Sequence, residues 1–351
     1  MIRTLIVDDS AYSRRTLKTM LESSGEVQVI GTARDGEEGL KKAFEMKPDA
    51  ITLDLDMPKM DGCTFLRIIM KYQPTPVIVV SARREDINVF KALELGAVDF
   101  IPKPTNCASP ALYSLRDDLL IKFLALDAIN LRSIQRRLIE PPIALADKVE
   151  HFGLPRTSGQ IKVVAIGAST GGPSAIQKIL SELPAEIDVG ILVSQHMPPG
   201  FTQSFAERLD RYTPLQVKEA ESGDRVRSGN VLIAPGGHSM FLNFNENKVS
   251  VSLVRKRPED RYVPSADIMF GSAAKIFGDR LLGIILTGMG SDGTEGLAEI
   301  KRKGGRTLVE AFETAVIYGM PREAIEGGSV DKIVPLSKIS REIMGWARSK
   351  H

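Results

Sequence analysis

Two cysteines, Cys63 and Cys107, are all that the 351 residues contain, so no disulfide framework is available and a reducing compartment is expected. Charge of one sign is not in excess either. The formal net charge is +2 with acidic and basic residues interspersed, which gives no electrostatic reason to expect nucleic acid or a membrane surface as partner. No apolar run approaches the roughly 18 residues that a membrane span needs. The first residues, MIRTLIVDD, read as a strand rather than as a secretory signal. A cytoplasmic protein without membrane insertion is expected. Histidine is scarce as well, with four in all, and the length accommodates two or three domains with substantial cores.

What the chain does have is concentrated in residues 161–172, IKVVAIGASTGG. A β-branched run breaks abruptly into small residues and glycines, the pattern of a buried strand turning sharply into a helix with Ser169 at the break. Gly167-Ala168-Ser169-Thr170-Gly171 fits G-x-S-x-G, in which glycines let the backbone turn tightly and lift a serine hydroxyl above the sheet. The helix opened by Pro173 points its first amides back toward that hydroxyl, where an oxyanion would develop. Two other readings compete. A dinucleotide loop is disfavoured because Ser169 takes the place of the middle glycine and no acidic residue ends the next strand, Val193-Ser194-Gln195-His196. A plain turn in which Ser169 caps the helix stays open until partners are found elsewhere.

From the first residue, apolar runs at 4–7, 27–33, 50–53, 77–80 and 99–101 alternate with helical patterns at 13–23, 36–46, 62–72 and 87–95. That succession predicts an α/β domain with a parallel sheet. Asp8 and Asp9 follow the first strand and Asp54 the third, so three carboxylates converge on the carboxyl edge, where open α/β sheets bind ligands. Like charges gathered in this way call for a hard cation, and oxygen ligands suit Mg²⁺. Ser81 ends the fourth strand and Lys103 follows the fifth, a hydroxyl and an ammonium suited to a phosphoryl oxygen. Taken singly, Asp8 and Asp9 also read as a helix cap and Lys103 as a solvated lysine.

These residues, with the run Asp54-Leu55-Asp56-Met57-Pro58-Lys59-Met60-Asp61-Gly62, resemble the receiver domain of two-component response regulators over residues 1–123. The resemblance implies that Asp54 accepts a phosphoryl group and that Asp8, Asp9, Asp54 and the backbone carbonyl of Asp56 hold Mg²⁺. It further implies that Ser81 and Lys103 contact the phosphate and that Phe100 is the aromatic switch. A basic helical stretch then runs over residues 112–138 and is stopped by Pro141 and Pro142. With no helix-turn-helix pattern after it, it is expected as a last receiver helix entering a linker, with the boundaries at 1–123, 124–159 and 160–351.

In the second half a strand at 189–194 delivers His196, and Pro198-Pro199-Gly200 starts another helix. Residues 216–254 read as short strands, an antiparallel edge. A strand at 280–287 ends in Gly288-Met289-Gly290-Ser291-Asp292-Gly293, and a strand at 306–310 and two helices follow. A serine nucleophile needs a base and an acid that orients the base, brought together in space rather than in sequence. His351 is the last residue of the sequence and His151 falls in the linker, which leaves His196 and His238, the latter read as loop-packing or site-lining. Asp292 also reads as an Asx-turn residue when taken alone. The order Ser, His, Asp differs from that of α/β-hydrolases, so the G-x-S-x-G match does not import their fold.

The strings Gly167 to Gly172, Gln195-His196-Met197-Pro198, Leu286 to Gly293 and Tyr318-Gly319-Met320-Pro321-Arg322-Glu323-Ala324-Ile325 resemble the catalytic domain of chemotaxis protein-glutamate methylesterases, the CheB family. With the receiver in front, the resemblance is full-length. It implies a triad of Ser169, His196 and Asp292, an oxyanion helped by the main-chain amide at Met289, and no cofactor for the esterase step; the amide near Thr170, at the start of the helix after the serine, is expected to share the oxyanion. The implied fold is α/β with two doubly wound parallel-sheet domains, a flavodoxin-like receiver and a Rossmann-like methylesterase domain with a small antiparallel edge. The implied activity is a phosphorylation-activated serine esterase that demethylates chemoreceptor glutamates, releases methanol and deamidates specific receptor glutamines. A histidine kinase as phosphodonor, docking of the unphosphorylated receiver over the triad, and a monomer are expected. Val263 stands where the family commonly has arginine before Pro264-Ser265. A non-hydrolytic signalling adaptor and a transcription factor are the alternatives, and the glycine-rich α/β output speaks against the second.

Overall fold

A computed structural model describes residues 1–82, 86–103, 111–139, 161–245 and 248–349. The chain forms two compact units, Met1–Pro141 and Pro142–His351.

In the first unit β1 (Ile2–Val7), α1 (Ala11–Glu22), β2 (Val27–Ala33), α2 (Gly36–Met46), β3 (Ala50–Leu53), α3 (Gly62–Tyr72), β4 (Val77–Ala82), α4 (Asp86–Glu94) and β5 (Asp99–Lys103) alternate. The helices α5 (Ala111–Leu124) and α6 (Leu131–Ile139) follow. The strands pair in parallel in the order β2-β1-β3-β4-β5. Helices on both faces require central strands that are apolar throughout, and all four residues of β3 are buried. Ser10, Asp35 and Asp61 start the first three helices by accepting the amides of Ser13, Glu38 and Thr64. The order reverses between β1 and β3, which places a ligand crevice at their carboxyl ends.

The basic stretch expected as one helix is broken. A 3-10 turn, Ala125–Ala128, ends α5, and the Asn130 side chain accepts the Ser133 amide at 3.2 Å to start α6. That helix packs back on the first unit: Leu138 Cδ1 stands 3.1 Å from where a Cβ on Gly96 would be, and Ser133 and Ile134 are buried. The rest of the expected linker, 140–159 with His151, lies outside the described residues, as do Cys107, Gln160 and His351.

The second unit contains β6 (Lys162–Ala168), α7 (Gly172–Ser181), β7 (Val189–Gln195), α8 (Phe201–Tyr212), β8 (Gln216–Glu219), β9 (Asn230–Ile233), β10 (His238–Asn245) and β11 (Lys248–Arg255). It continues with α9 (Ala266–Phe277), β12 (Leu281–Ile285), α10 (Thr294–Arg302), β13 (Arg306–Glu310), α11 (Gly319–Glu326), β14 (Lys332–Val334) and α12 (Leu336–Arg348). Seven strands form a parallel sheet in the order β14-β13-β12-β6-β7-β9-β8. The antiparallel part is the separate hairpin β10–β11. The short strands β8 and β9 run parallel within the main sheet instead. At the sheet's edge β8 buries Val217 and exposes Gln216 and Lys218, an alternation that reads in sequence like an antiparallel strand.

Helix α9 supplies much of the core beneath the first strands, with Met269, Phe270, Ala273 and Ala274 fully buried. Phe270 touches the space beside both Gly167 and Gly296, so this ring supports β6 and α10 together. Truncating it to alanine would cost about 3–5 kcal/mol. The chain leaves β6 for β7 on one side, while β12 occupies the other. The switch point of this sheet is therefore the carboxyl edge between β6 and β12.

Candidate active site and phosphoryl-acceptor pocket

Ser169 stands at that switch point, in the turn from β6 into α7. Its amide donates to Thr287 O at 3.1 Å and its carbonyl accepts the Gly172 amide at 2.8 Å, so the turn is closed on both sides. Gly171 adopts φ 78° and leaves the start of α7 without a side-chain cap, so the helix's first turn faces the serine with its partial positive charge. A side chain at Gly171 would also meet Val316 Cβ at 2.7 Å.

Register pairs Ala168 with Gln195 across β6 and β7, and the His196 amide donates to Ala168 O at 3.0 Å. Ser169 and His196 thus leave neighbouring strands at the same level, at the strand spacing of about 4.8 Å. Among the described residues the Ser169 hydroxyl makes no hydrogen bond, and such contacts commonly tighten only when substrate arrives. His196 Nε2 lies 2.7 Å from Asp292 Oδ2.

Asp292 is 2% exposed and sits at the amino end of α9. Its Oδ1 accepts from Ser265 Oγ at 2.9 Å and from the Asp267 amide at 3.0 Å, and its Oδ2 accepts the Ala266 amide at 2.6 Å. Burial works to raise its pKa, but the imidazole beside it and these two amides hold the carboxyl below the usual range. Asp267 accepts the Gly296 amide at 2.6 Å. Burial first, and then the charge of Asp292, push it up to about 6 against that hydrogen bond.

The loop from β12 closes over the serine. A Cβ on Gly288 would stand 2.8 Å from Ser169 Cβ and 2.4 Å from Met320 Sδ, so only glycine permits this approach. The next amide, that of Met289, makes no hydrogen bond among the described residues. Thr170 is buried, and its carbonyl accepts from Thr287 Oγ1 at 2.9 Å. Thr287 in turn donates its amide to the fully buried Glu310 at 2.9 Å and accepts the Ile317 amide at 2.9 Å. Burying a carboxylate in this place is costly unless hydrogen bonds answer it, so the serine turn rests on a fixed polar base.

Several of these residues escape a reading of the sequence. Gln195 Nε2 donates to the carbonyls of both Ser169 and His196, at 2.9 and 3.1 Å, and ties the two turns together. Tyr262 stacks on the His196 ring. Val263 follows it, half-buried. Gly236 lies against Pro198, two residues past His196, and His238 opens β10 opposite Arg255.

In the first unit, oxygens of Asp8, Asp9 and Asp54 come within 4.8 Å of one another, a carboxylate set of the kind that hard cations take. Lys103 Nζ lies 2.9 Å from Asp8 Oδ2 and also contacts Asp54 Oδ2. Burial pushes Asp54 up to about 6 even though Lys103 pulls the other way, and Asp8 adds to the rise. Lys103 is held above its usual range by the two carboxylates, against its own burial. Ser81 is buried at the end of β4, opposite Pro102 in register. The Asp56 amide lies 3.4 Å from Asp54 Oδ1. Phe100 is buried, and Lys122 fixes its strand by donating to Phe100 O at 2.8 Å and pairing with Asp99 at 2.8 Å.

An acidic pocket at the switch point of a five-stranded 2-1-3-4-5 sheet, followed by a Ser–His–Asp cluster at the switch point of a second parallel sheet, defines a receiver joined to a hydrolase-like output domain. Family models for the response regulator receiver domain and for the CheB methylesterase match residues 4–109 and 164–343. The chain is 53% identical over 358 residues to protein-glutamate methylesterase/protein-glutamine glutaminase 3 of Geobacter sulfurreducens, covering 98% of this chain and 96% of that one. It is 46% identical to protein-glutamate methylesterase/protein-glutamine glutaminase 1 of Myxococcus xanthus, covering 100% and 98%. The crystal structure of the Thermotoga maritima CheB methylesterase catalytic domain matches 53% of this chain and 98% of its own, with a TM-score of 0.52 and 41% identity. The chain belongs to the CheB methylesterase family, in the form that carries a response regulator receiver domain.

Proposed function

We propose that this protein hydrolyses γ-glutamyl methyl esters on chemoreceptors, releasing methanol, under control of phosphorylation at Asp54, and that it deamidates specific receptor glutamines by the same route. The observation that carries the reading is the placement of Ser169, His196 and Asp292 past the carboxyl ends of three adjacent strands, β6, β7 and β12.

In this reading Ser169 Oγ attacks the ester carbonyl while its proton passes to Nδ1 of His196, and Asp292 steadies the imidazolium through Nε2. The tetrahedral oxyanion is met by the amides of Thr170 and Met289. Collapse breaks the bond to the methoxy group, which takes the proton from His196 and leaves as methanol. Water then gives a proton to His196 and attacks the acyl-serine. Ser169 recovers that proton as it departs, and glutamate remains. An amide follows the same path with ammonia leaving.

Asp54 is the phosphoryl acceptor, Ser81 and Lys103 hold the phosphoryl oxygens, and Phe100 reports occupancy. The carboxylates of Asp8, Asp9 and Asp54 and the backbone carbonyl of Asp56 fit Mg²⁺, which would offset the negative charge of carboxylates and incoming phosphoryl group. A histidine kinase is the phosphodonor, and the protein works as a cytoplasmic monomer without nucleic acid. The reading is tested by incubating the protein with methyl-labelled receptor, with and without a small phosphodonor and Mg²⁺, and counting volatile label. Release that rises with the phosphodonor supports it, and no release under either condition contradicts it.

A further inference from the structure

We propose that Tyr262 is a positioning residue for His196, its ring stacked on the imidazole and attracting the positive charge that develops there during the reaction. This rests on the assignment of His196 as the base. The ring centroids are 5.2 Å apart with planes 9° from parallel, within the range of offset stacking. The face of a tyrosine ring is the negative side of its quadrupole, so a cation over it is attracted, and more strongly where water is excluded. The His196 side chain is only 16% exposed.

The same side chain is keyed to the loop that carries Asp292. The Ser291 amide donates to its hydroxyl at 3.4 Å, and a Cβ on Gly290 would stand 2.3 Å from that hydroxyl. Tyr262 therefore bridges the imidazole and the loop of its carboxylate partner. The two contacts do different work. Asp292 grips an edge of the ring in its plane, and Tyr262 covers a face and sets the tilt. Among the described residues Asp292 pairs with the imidazole, Asp267 and Asp292 feel each other's charge, and the Arg261 guanidinium lies 5.1 Å from the Tyr262 ring centroid.

The test uses the full-length chain with phosphodonor and Mg²⁺, and measures kcat and KM for methanol release in Tyr262→Leu and Tyr262→Phe. Leucine keeps an apolar cover but removes the π face. Phenylalanine keeps the face and loses the hydroxyl. The leucine variant is expected to lose about 10-fold in kcat with KM nearly unchanged. Phenylalanine should recover kcat to within about threefold of the parent. A leucine variant with parental kcat, one whose KM rises as much as its kcat falls, or a phenylalanine variant as impaired as leucine would each overturn the proposal. Where the leucine variant does not fold, a pentafluorinated phenylalanine at the same position, which reverses the quadrupole, should match the predicted leucine loss, and parental kcat there overturns it. Absence of methanol release by the parent protein would remove the underlying assignment instead.

Discussion

Nε2 of His196 lies 2.7 Å from Oδ2 of Asp292, which commits that nitrogen to the carboxylate and leaves Nδ1 as the nitrogen that the proposed reaction uses to take the Ser169 proton. Neutral His196 is therefore expected in the Nε2–H form. Nitrogen-15 NMR of the labelled imidazole distinguishes the two tautomers. A dominant Nδ1–H form would contradict the ring orientation described above.

Gly288 should tolerate no side chain. In Gly288→Ala the new methyl meets Ser169 Cβ and backbone as well as Met320, and although the methionine can move, the serine turn cannot. Stability should fall by about 1–3 kcal/mol, and kcat by about 100-fold, since a misplacement near 1 Å costs that much. Thermal unfolding and methanol release on the same preparation check both, and parental kcat would contradict the close approach.

Asp267 opposes folding at neutral pH. Its folded pKa, about 6, lies above the ordinary carboxyl value of 3.8, so the folded state binds the proton more tightly and the stability it confers is lost as pH rises between those values. Asp267→Asn keeps an acceptor for the Gly296 amide and removes the like charge behind Asp292. The variant should melt higher than the parent at pH 8, with the difference shrinking as pH falls from about 6 toward 4. An equal advantage at both ends of that range would contradict the cause assigned to the shift.

Much of this site is legible in the sequence. Ser169, His196 and Asp292 each follow an apolar run that breaks at glycine or proline, so strand ends and chemistry can be read together. Asp8, Asp54, Ser81 and Lys103 follow in the same way from the strands of the first unit. Tyr262, Gln195, Ser265 and Thr287 are not legible, because their roles are contacts between loops that meet only once the sheet has formed. The run Arg261-Tyr262-Val263-Pro264 carries no local mark of a ring aimed at His196. The direction of β8 and the existence of β14 are lost for another reason: with four and three residues, they are too short for periodicity to separate parallel from antiparallel, or strand from turn.

Control should depend on Asp54 alone among the receiver carboxylates as acceptor. Asp54→Asn is expected to retain basal methanol release and to lose all stimulation by a small phosphodonor with Mg²⁺. Parallel measurement of phosphoryl incorporation checks the acceptor itself. Stimulation that persists in this variant would move the acceptor elsewhere.

The most direct measurement of the hydrolytic role is methanol release from methyl-labelled receptor by Ser169→Ala beside the parent chain, both with phosphodonor and Mg²⁺. The alanine variant should keep its fold and lose roughly 10⁴- to 10⁶-fold in turnover. Release near the parental rate would show that the bond is broken by some other group.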